Sequence, residues 1–129
     1  MMTDKKTYYT KEHEWLTLVD DKLARIGITE HAQEQLGDIV FIDFTADLGD
    51  IASGEEIVTV ESVKSVSEVY SPVSGTITKQ NEELNDSPEM VNESAMENGW
   101  MIEIELSDLN ELSELMDLEA YNTFVEEEE

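Results

Sequence analysis

Residues 57 to 75 read Ile-Val-Thr-Val-Glu-Ser-Val-Lys-Ser-Val-Ser-Glu-Val-Tyr-Ser-Pro-Val-Ser-Gly. Two runs rich in β-branched residues, Ile57 to Glu61 and Val66 to Tyr70, each predict a β-strand. The residues between them are few, so they predict a tight hairpin turn that carries Val63 and Lys64. A lysine in this turn lies at the tip of the hairpin, where other proteins can reach it.

Further short strands are predicted on both sides of this hairpin. Aromatic and β-branched residues predict an edge strand or extended arm over Tyr8 to Leu16, and alternating apolar residues predict a strand over Lys22 to Ile28. Alternation also predicts a strand over Trp100 to Leu106, with one buried and one solvated face. Asp38 to Phe44 and Thr76 to Lys79 complete the set.

Short helices are predicted between these strands. Thr29 is a suitable N-cap for a helix from Glu30 to Leu36, and Gly37 follows its end. Ser87-Pro88-Glu89 predicts the start of a second helix, with Ser87 as its N-cap. That helix is expected to be short, because Asn92 and the segment that follows it have the composition of a loop.

The last part of the chain changes to helical spacing. Leucines recur with this spacing from Leu109 to Met116, and Asp117 is expected to cap a final helix. Glu126 to Glu129 is expected to be a solvated, flexible end, as are residues 1–6. The pattern predicts one domain over residues 1–129, mainly β with small helical additions, folded as a β-sandwich or flattened barrel.

The composition limits the classes of partner. The chain has 129 residues with 32 acidic and 7 basic side chains, a formal net charge of −25, which disfavours binding to nucleic acid or to anionic membranes. It has no cysteine, so disulfides and thiolate chemistry are excluded. Neither a membrane-spanning run nor a targeting pattern is recognisable, which predicts a cytoplasmic protein. The acid excess suggests adaptation to a high-salt cytoplasm, as a hypothesis.

The chain has two histidines, His13 and His31, and histidine is the residue type whose reference charge change lies nearest neutral pH. His13 lies between Glu12 and Glu14, but a zinc site needs three or four convergent ligands, and no spacing here supplies them. We therefore expect no metal site. On an extended strand Glu12 and Glu14 point to the same side, so a carboxylate-pair hydrolase remains an alternative.

Lys64 is the remaining candidate for chemistry. No phosphate-binding loop, nucleophile elbow or dinucleotide fingerprint is present. The structural alternative is a solvated hairpin lysine with no function. The chemical alternative is an acyl acceptor, because an unprotonated lysine amine is nucleophilic and a hairpin tip is accessible to a modifying enzyme.

The segment around Lys64 resembles the lipoyl-lysine segment of glycine cleavage system H proteins. The resemblance covers about residues 7 to 125. It is carried by Glu61-Ser62-Val63-Lys64, Tyr70-Ser71-Pro72-Val73-Ser74-Gly75, Glu12-His13-Glu14-Trp15, Gly27 to Gln33, Leu36 to Phe41, Pro88 to Asn92 and Gly99-Trp100-Met101. Two stretches, 44–49 and 94–98, lack prolines that are common in the family.

This resemblance implies a hammerhead-like, lipoyl-domain-like β fold and a carrier that is not an enzyme. Lys64 would bear covalent lipoate, and Glu14, His31 and Glu68 would line the cleft that holds the loaded arm. The implied partners are the pyridoxal-phosphate glycine decarboxylase (P protein), the aminomethyltransferase (T protein), dihydrolipoyl dehydrogenase (L protein) and a lipoyl-attaching enzyme. The arm would carry the aminomethyl group of glycine from the decarboxylase to the aminomethyltransferase.

Other carriers remain as alternatives. A biotinyl domain normally places its lysine between methionines, whereas Val63 and Ser65 flank Lys64 here. Lipoyl domains of 2-oxo acid dehydrogenases lack the Glu-His-Glu-Trp segment and the C-terminal helices. A further alternative is an H-like protein with no role in glycine cleavage, either a relay that donates lipoyl groups to other carriers or a sulfur carrier, and genomic neighbours would discriminate it.

Overall fold

The computed structural model describes residues 7–128 and contains nine strands. The strands are β1 (Thr7–Tyr9), β2 (Glu14–Leu18), β3 (Leu23–Ile28), β4 (Ile39–Phe44), β5 (Gly49–Ile51), β6 (Glu56–Ser62), β7 (Val66–Tyr70), β8 (Gly75–Gln80) and β9 (Ile102–Leu106). The helices are α1 (Glu30–Leu36), α2 (Glu83–Asp86), α3 (Glu89–Ser94), a 3₁₀ helix (Leu109–Glu114) and α4 (Leu118–Glu128).

The strands form two sheets. The larger has six strands in the order β1-β2-β3-β9-β8-β5, and the smaller has three in the order β4-β6-β7. Every pairing is antiparallel. The predicted fold class is therefore confirmed as mainly β with helical additions, and the sheets are separate rather than closed into one barrel.

Apolar side chains from both sheets form one main core. Leu16, Ile26 and Ile104 come from the six-stranded sheet, and Ile42 and Val60 from the three-stranded sheet, and all five are fully buried. A second cluster of Tyr9, Trp15 and Tyr121 lies apart from this core. None of the described helices is long and apolar enough to span a bilayer.

Helix α1 forms as its caps predict. The hydroxyl of Thr29 accepts a hydrogen bond from Ala32 N at 3.3 Å, and Gly37 ends the helix with φ of 80° and ψ of −150°. The Gly37 amide still donates to Gln33 O at 3.0 Å. Such a backbone conformation is essentially restricted to glycine, so Gly37 fixes where the chain leaves α1 and enters β4.

An edge strand does form here, since β1 is at the edge of the larger sheet, but Tyr8 to Leu16 is not one continuous strand, because the segment is a hairpin of β1 and β2. His13 has a left-handed φ of 67° in the turn, where its amide donates to Thr10 O at 3.1 Å. The extended geometry that was expected to align Glu12 with Glu14 is therefore interrupted. Glu12 is exposed in this turn, whereas Glu14 begins β2 and is 3% exposed.

The last strand is shorter and more buried than predicted. β9 begins at Ile102, and Glu103 on its supposed solvent face is only 5% exposed. Burial is possible because Arg25 Nε lies 3.3 Å from Glu103 Oε1, and the guanidinium of Arg25 lies 4.5 Å above the ring of Trp100. A buried charge with a charged partner costs much less free energy than an isolated one.

The predicted N-cap at Ser87 is also wrong. Ser87 follows α2, and Pro88 with helical φ of −61° precedes α3 without a side-chain cap bond. Asn92, which was predicted to lie in a loop, belongs to α3. The short helix α2, which directly precedes Ser87, was not predicted.

The C-terminal helices lie in the predicted region. The first is a 3₁₀ helix, and Asp117 caps α4 by accepting from Ala120 N at 2.8 Å. Helix α4 continues to Glu128, with Glu126 and Glu127 exposed in its last turn. Residues 1–6 and Glu129, which were expected to be flexible, lie outside the described residues.

Candidate functional site

The β6–β7 turn presents Lys64 at its tip. Ser62 N donates to Ser65 O at 2.8 Å, while the hydroxyl of Ser62 accepts from both Lys64 N and Ser65 N at 3.1 Å. Neither Val63 nor Lys64 has a positive φ, so this turn does not need the glycine or asparagine of the commonest two-residue hairpins. The Ser62 side chain supplies the acceptor that closes it.

The turn is also attached to the start of β4. Val63 N donates to Asp38 O at 3.0 Å. The side chain of Lys64 lies against Gly37, because a Cβ built on Gly37 would be 3.3 Å from Lys64 Cε and 3.8 Å from Lys64 Nζ. The distal end of the Lys64 side chain therefore lies against a glycine, and the turn backbone is held by hydrogen bonds to Ser62 and to Asp38.

Asn92 of α3 fixes the glycine segment in turn. Its Nδ2 donates to Gly37 O at 2.9 Å, and its Oδ1 accepts from Ile39 N at 2.8 Å. The Asn92 side chain thus bonds to the backbone on both sides of Asp38. The carbonyl of Asp38 in turn accepts the hydrogen bond from Val63 N that holds the Lys64 turn. Sequence reasoning missed this role, because the side-chain bonds of Asn92 depend on the packing of α3 beside β4.

A cleft of about 120 Å³ lies beside the hairpin. Carboxylates of Glu12, Glu14 and Glu68 line it together with apolar side chains of the core. The full lining is Glu12, His13, Glu14, Ile28, Ala32, Gln35, Leu36, Val60, Ser67, Glu68 and Val69. Three carboxylates in so small a volume favour a cationic guest.

Glu14 is the buried carboxyl of this cleft. Tyr70 N donates to its Oε2 at 2.7 Å and Thr10 Oγ1 donates to its Oε1 at 3.2 Å. Burial raises the pKa of Glu14 to about 7, and the negative charge of nearby Glu12 adds to this rise, although both hydrogen bonds oppose it. Glu14 can therefore gain or lose a proton near neutral pH.

The structure brings Glu14 and Glu68 together in the lining of the cleft, whereas His31 does not line it. The ring of His31 lies 4.6 Å from that of His13, centroid to centroid, and it is His13 that lines the cleft. His13 Nδ1 is 2.8 Å from Tyr121 Oη, and the same hydroxyl lies 2.8 Å from Thr29 Oγ1. His31 instead lines a separate depression beside α4.

Several lining residues were not predicted. Ser67 and Gln35 are polar groups of the cleft, and their positions on β7 and α1 carry no sequence signal that separates them from ordinary solvated residues. Ser62 did carry a signal, since a serine just before a tight turn often bonds to the turn amides. Within residues 7–128, no group of three or more His, Asp or Glu side chains is arranged to hold a metal ion.

A small β domain that presents one lysine on a fixed turn, beside a cleft lined by carboxylates, has the features of a carrier protein that bears a covalent group. The family model described as Glycine cleavage H-protein matches residues 7–128. The chain therefore belongs to the glycine cleavage H-protein family, as the sequence resemblance indicated, and its role is that of the carrier in glycine cleavage.

Individual relatives agree with this assignment. The glycine cleavage system H protein of Geobacillus thermodenitrificans is 51% identical over 127 residues, covering 98% of this chain and 99% of the relative. That of Vibrio campbellii is 47% identical over 125 residues, covering 97% and 99%. A crystal structure of a glycine cleavage system H protein from Mycobacterium marinum superposes with a TM-score of 0.82 at 29% identity, covering 94% of this chain and 97% of that one.

Proposed function

We propose that this protein carries lipoate covalently on Lys64 and shuttles the aminomethyl group of glycine between the enzymes of the glycine cleavage system. The observation that supports the proposal best is the exposed Lys64, held on a hydrogen-bonded turn in a member of this family. The chain would have no catalytic residue of its own. Its function would depend on presenting one side chain to several enzymes.

Lys64 fits the requirements of a lipoyl attachment site. Its amine must lose a proton to attack an acyl carbon, and an exposed side chain lets an enzyme surround it and take that proton. The backbone bonds of Ser62 keep the turn closed, so the amine is presented without unfolding of the sheet. Amide formation removes the positive charge and extends the side chain, which gives a long arm on a rigid base.

When bound, the lipoyl group supplies a disulfide that accepts the aminomethyl group and a dithiol that can be reoxidised. The residues of this chain act on the charge that the arm brings. A primary ammonium entering the cleft would meet Glu14, Glu12 and Glu68, and ionised Glu14 would form the strongest contact because it is the most buried. The apolar lining from Val60 and Leu36 would limit access of water.

Two histidines would have different roles in this cleft. His13 lines it directly, whereas His31 would act by supporting the ring of His13. The bond between His13 and Tyr121 ties this support to α4. We therefore assign Glu14 and Glu68 to direct contact with the arm and His31 to positioning.

The partners proposed for the arm are those of the family's reaction cycle. They are the pyridoxal-phosphate glycine decarboxylase (P protein), the aminomethyltransferase (T protein) that passes the one-carbon unit to tetrahydrofolate, dihydrolipoyl dehydrogenase (L protein) and a lipoyl-attaching enzyme. The strongly acidic surface would favour basic docking surfaces on these enzymes.

The test is glycine-dependent exchange of carbon dioxide by purified glycine decarboxylase, with this protein as the lipoylated carrier. Lys64→Arg keeps the positive charge but cannot form the arm, so we expect exchange to fall to the level without carrier. Lys79→Arg is the matched control, since Lys79 is an exposed lysine on β8, and it should retain full exchange. Retained exchange with Lys64→Arg would reject the proposal.

A further inference from the structure

Four exposed apolar side chains cluster near Lys64, and we call them the apolar collar: Val40, Phe41, Val63 and Val66. Their exposed fractions are 51%, 45%, 65% and 58%. They make up four of the eight large apolar side chains that are exposed within residues 7–128. Half of these exposed apolar side chains therefore lie in the Lys64 turn or near the ends of β4 and β7, although the protein is highly charged.

Strand register places two of the collar side chains, Phe41 and Val66, on one face of the three-stranded sheet. Phe41 is paired with Glu61, and Glu61 is paired with Val66, so the three side chains form a row across β4, β6 and β7. Val63 is the residue before Lys64 in the turn. Glu61, the middle residue of this row, lies in β6, and the turn with Lys64 follows that strand directly.

A β-bulge accounts for the exposure of two consecutive residues. The β4–β6 register shifts between Ile39 and Phe41, which leaves Val40 as an extra residue in β4. Regular alternation would bury one of Val40 and Phe41, but both are exposed. Bulges commonly redirect side chains at functional sites, so the collar is a feature of the fold and not an accident of composition.

Carboxylates surround the collar. Glu61 lies within the row itself, and the next row along the sheet pairs Asp43 with Thr59 and Thr59 with Glu68. Asp38 holds the other side of the turn through its carbonyl. The surface therefore has an apolar centre, an acidic rim and one lysine, and it complements a partner with an apolar centre and a basic rim.

We propose that the apolar collar is the docking surface for the enzyme that acylates Lys64. This inference rests on the proposed function. In that step an amide bond forms between Lys64 Nζ and the carbonyl carbon of an activated acyl donor. The bond from that carbon to its leaving group breaks with its electron pair, and a base of the attaching enzyme takes a proton from Nζ.

The reach of the side chain selects this occupant over the other partners. Nζ lies roughly 6 Å from Cα even in an extended lysine, so an enzyme that acylates it must cover the turn itself. Enzymes that use the finished arm act at its far end, which lies farther from the residues beside the attachment point than Nζ does. Apolar side chains next to Lys64 are therefore of most use before the arm exists.

The test compares two steps, which are attachment of the lipoyl group to Lys64 and use of the finished arm in glycine-dependent exchange. Phe41→Thr/Val66→Thr removes apolar surface from the collar and places threonine, a residue that favours strands, at both positions. Leu48→Thr/Leu109→Thr is the matched control, because these side chains are 59% and 45% exposed and lie outside the three-stranded sheet. The rate of lipoylation by a purified lipoate ligase is measured for each, and each is then fully lipoylated with excess ligase and assayed in glycine-dependent exchange.

We expect the collar variant to lose about tenfold or more in kcat/KM for lipoylation, mainly through KM, and the control to stay within about twofold of wild type. Exchange by the fully lipoylated collar variant should equal that of wild type. Val63→Thr, measured alone, should show a smaller loss in the same direction, which guards against a double variant that fails to fold.

Two results would overturn the proposal. One is lipoylation of the collar variant at the wild-type kcat/KM. The other is a normal lipoylation rate with impaired exchange, which would assign the collar to the decarboxylase. If the proposed function itself is wrong, Lys64 of the wild-type protein stays unmodified by the ligase. That result differs from both of the results that would overturn the docking proposal.

Discussion

The aliphatic part of Lys64 packs on Gly37, and a Cβ at Gly37 would lie only 3.3 Å from Lys64 Cε. Gly37 also has φ of 80° and ψ of −150°, a region that side chains strongly disfavour. The residue that ends α1 therefore serves two purposes. It turns the chain into β4, and it leaves room for the distal end of the Lys64 side chain.

Gly37→Ala is expected to destabilise the fold by about 1–3 kcal/mol, because alanine must adopt a disfavoured conformation. It should also slow lipoylation, because the new methyl group pushes Lys64 from its resting position. Urea unfolding and the lipoylation rate are the measurements. Gly54→Ala is the control, since Gly54 has φ of 90° and a Cβ added there would meet nothing within 4 Å. It should lose stability without slower lipoylation; equal slowing would contradict the contact argument.

Asn92→Ala should cost about 1–3 kcal/mol of unfolding free energy, because it leaves Gly37 O and Ile39 N without their partner. Asn92→Asp keeps an acceptor for Ile39 N but faces the Gly37 carbonyl with a carboxylate, so it should also destabilise. Asn85→Ala is the matched control, since it removes one bond to Ile42 O from an exposed residue. In thermal unfolding, Asn92→Ala should have a lower melting temperature than Asn85→Ala, and the reverse order would contradict the role given to Asn92.

Glu14 should make stability depend on pH in a defined direction. Its pKa is about 7 in the folded protein and near 4.5 when unfolded, so the folded state binds more protons between these values. Stability from this group therefore falls as the pH rises through that window, by roughly 3 kcal/mol once the pH exceeds the folded pKa. The free energy of unfolding of wild type, relative to that of Glu14→Gln, should therefore decrease as the pH rises through this window.

The control for that titration is Glu12→Gln. Glu12 is exposed, and its charge contributes to the raised pKa of Glu14, so its removal should lower the Glu14 pKa while leaving the burial effect in place. Carbon NMR of the Glu14 carboxyl measures both values. A Glu14 that titrates like an exposed glutamate in wild type would show that the cleft does not isolate it from water.

The melting temperature should rise between low and molar potassium chloride, because a net charge of −25 repels itself and salt screens that repulsion. Glu82→Lys/Glu83→Lys replaces two exposed acids and should weaken this dependence. Calorimetry at a series of salt concentrations gives the result. An unchanged melting temperature would remove the support for adaptation to a high-salt cytoplasm.

Local signals were sufficient for the hairpin of Lys64 and for α1. In both cases the deciding interactions lie between near neighbours, such as the β-branched runs of β6 and β7 and the bond from Ala32 N to Thr29. The same holds for Asp117, which caps α4 through a residue three positions away. Patterns of this kind can be read from sequence because the chain supplies both partners.

The details that position the site depend on distant partners and could not be predicted. The bulge at Val40 arises from pairing with β6, and the burial of Glu103 requires Arg25 from β3. The buried carboxyl of Glu14 accepts a hydrogen bond from Tyr70 N, which lies 56 residues away in the sequence. His31 was expected to line the cleft. His13, which has a left-handed φ in the β1–β2 turn, lines it instead.

The central claim is that Lys64 bears the lipoyl arm, and the most direct test is the intact mass of the protein after co-expression with lipoate and biotin attachment enzymes, followed by peptide mapping. We predict one lipoyl group per chain, located on Lys64 and absent from Lys64→Arg. Biotin on Lys64, lipoate on another lysine, or a Lys64 that stays unmodified in the presence of active ligase would contradict the account.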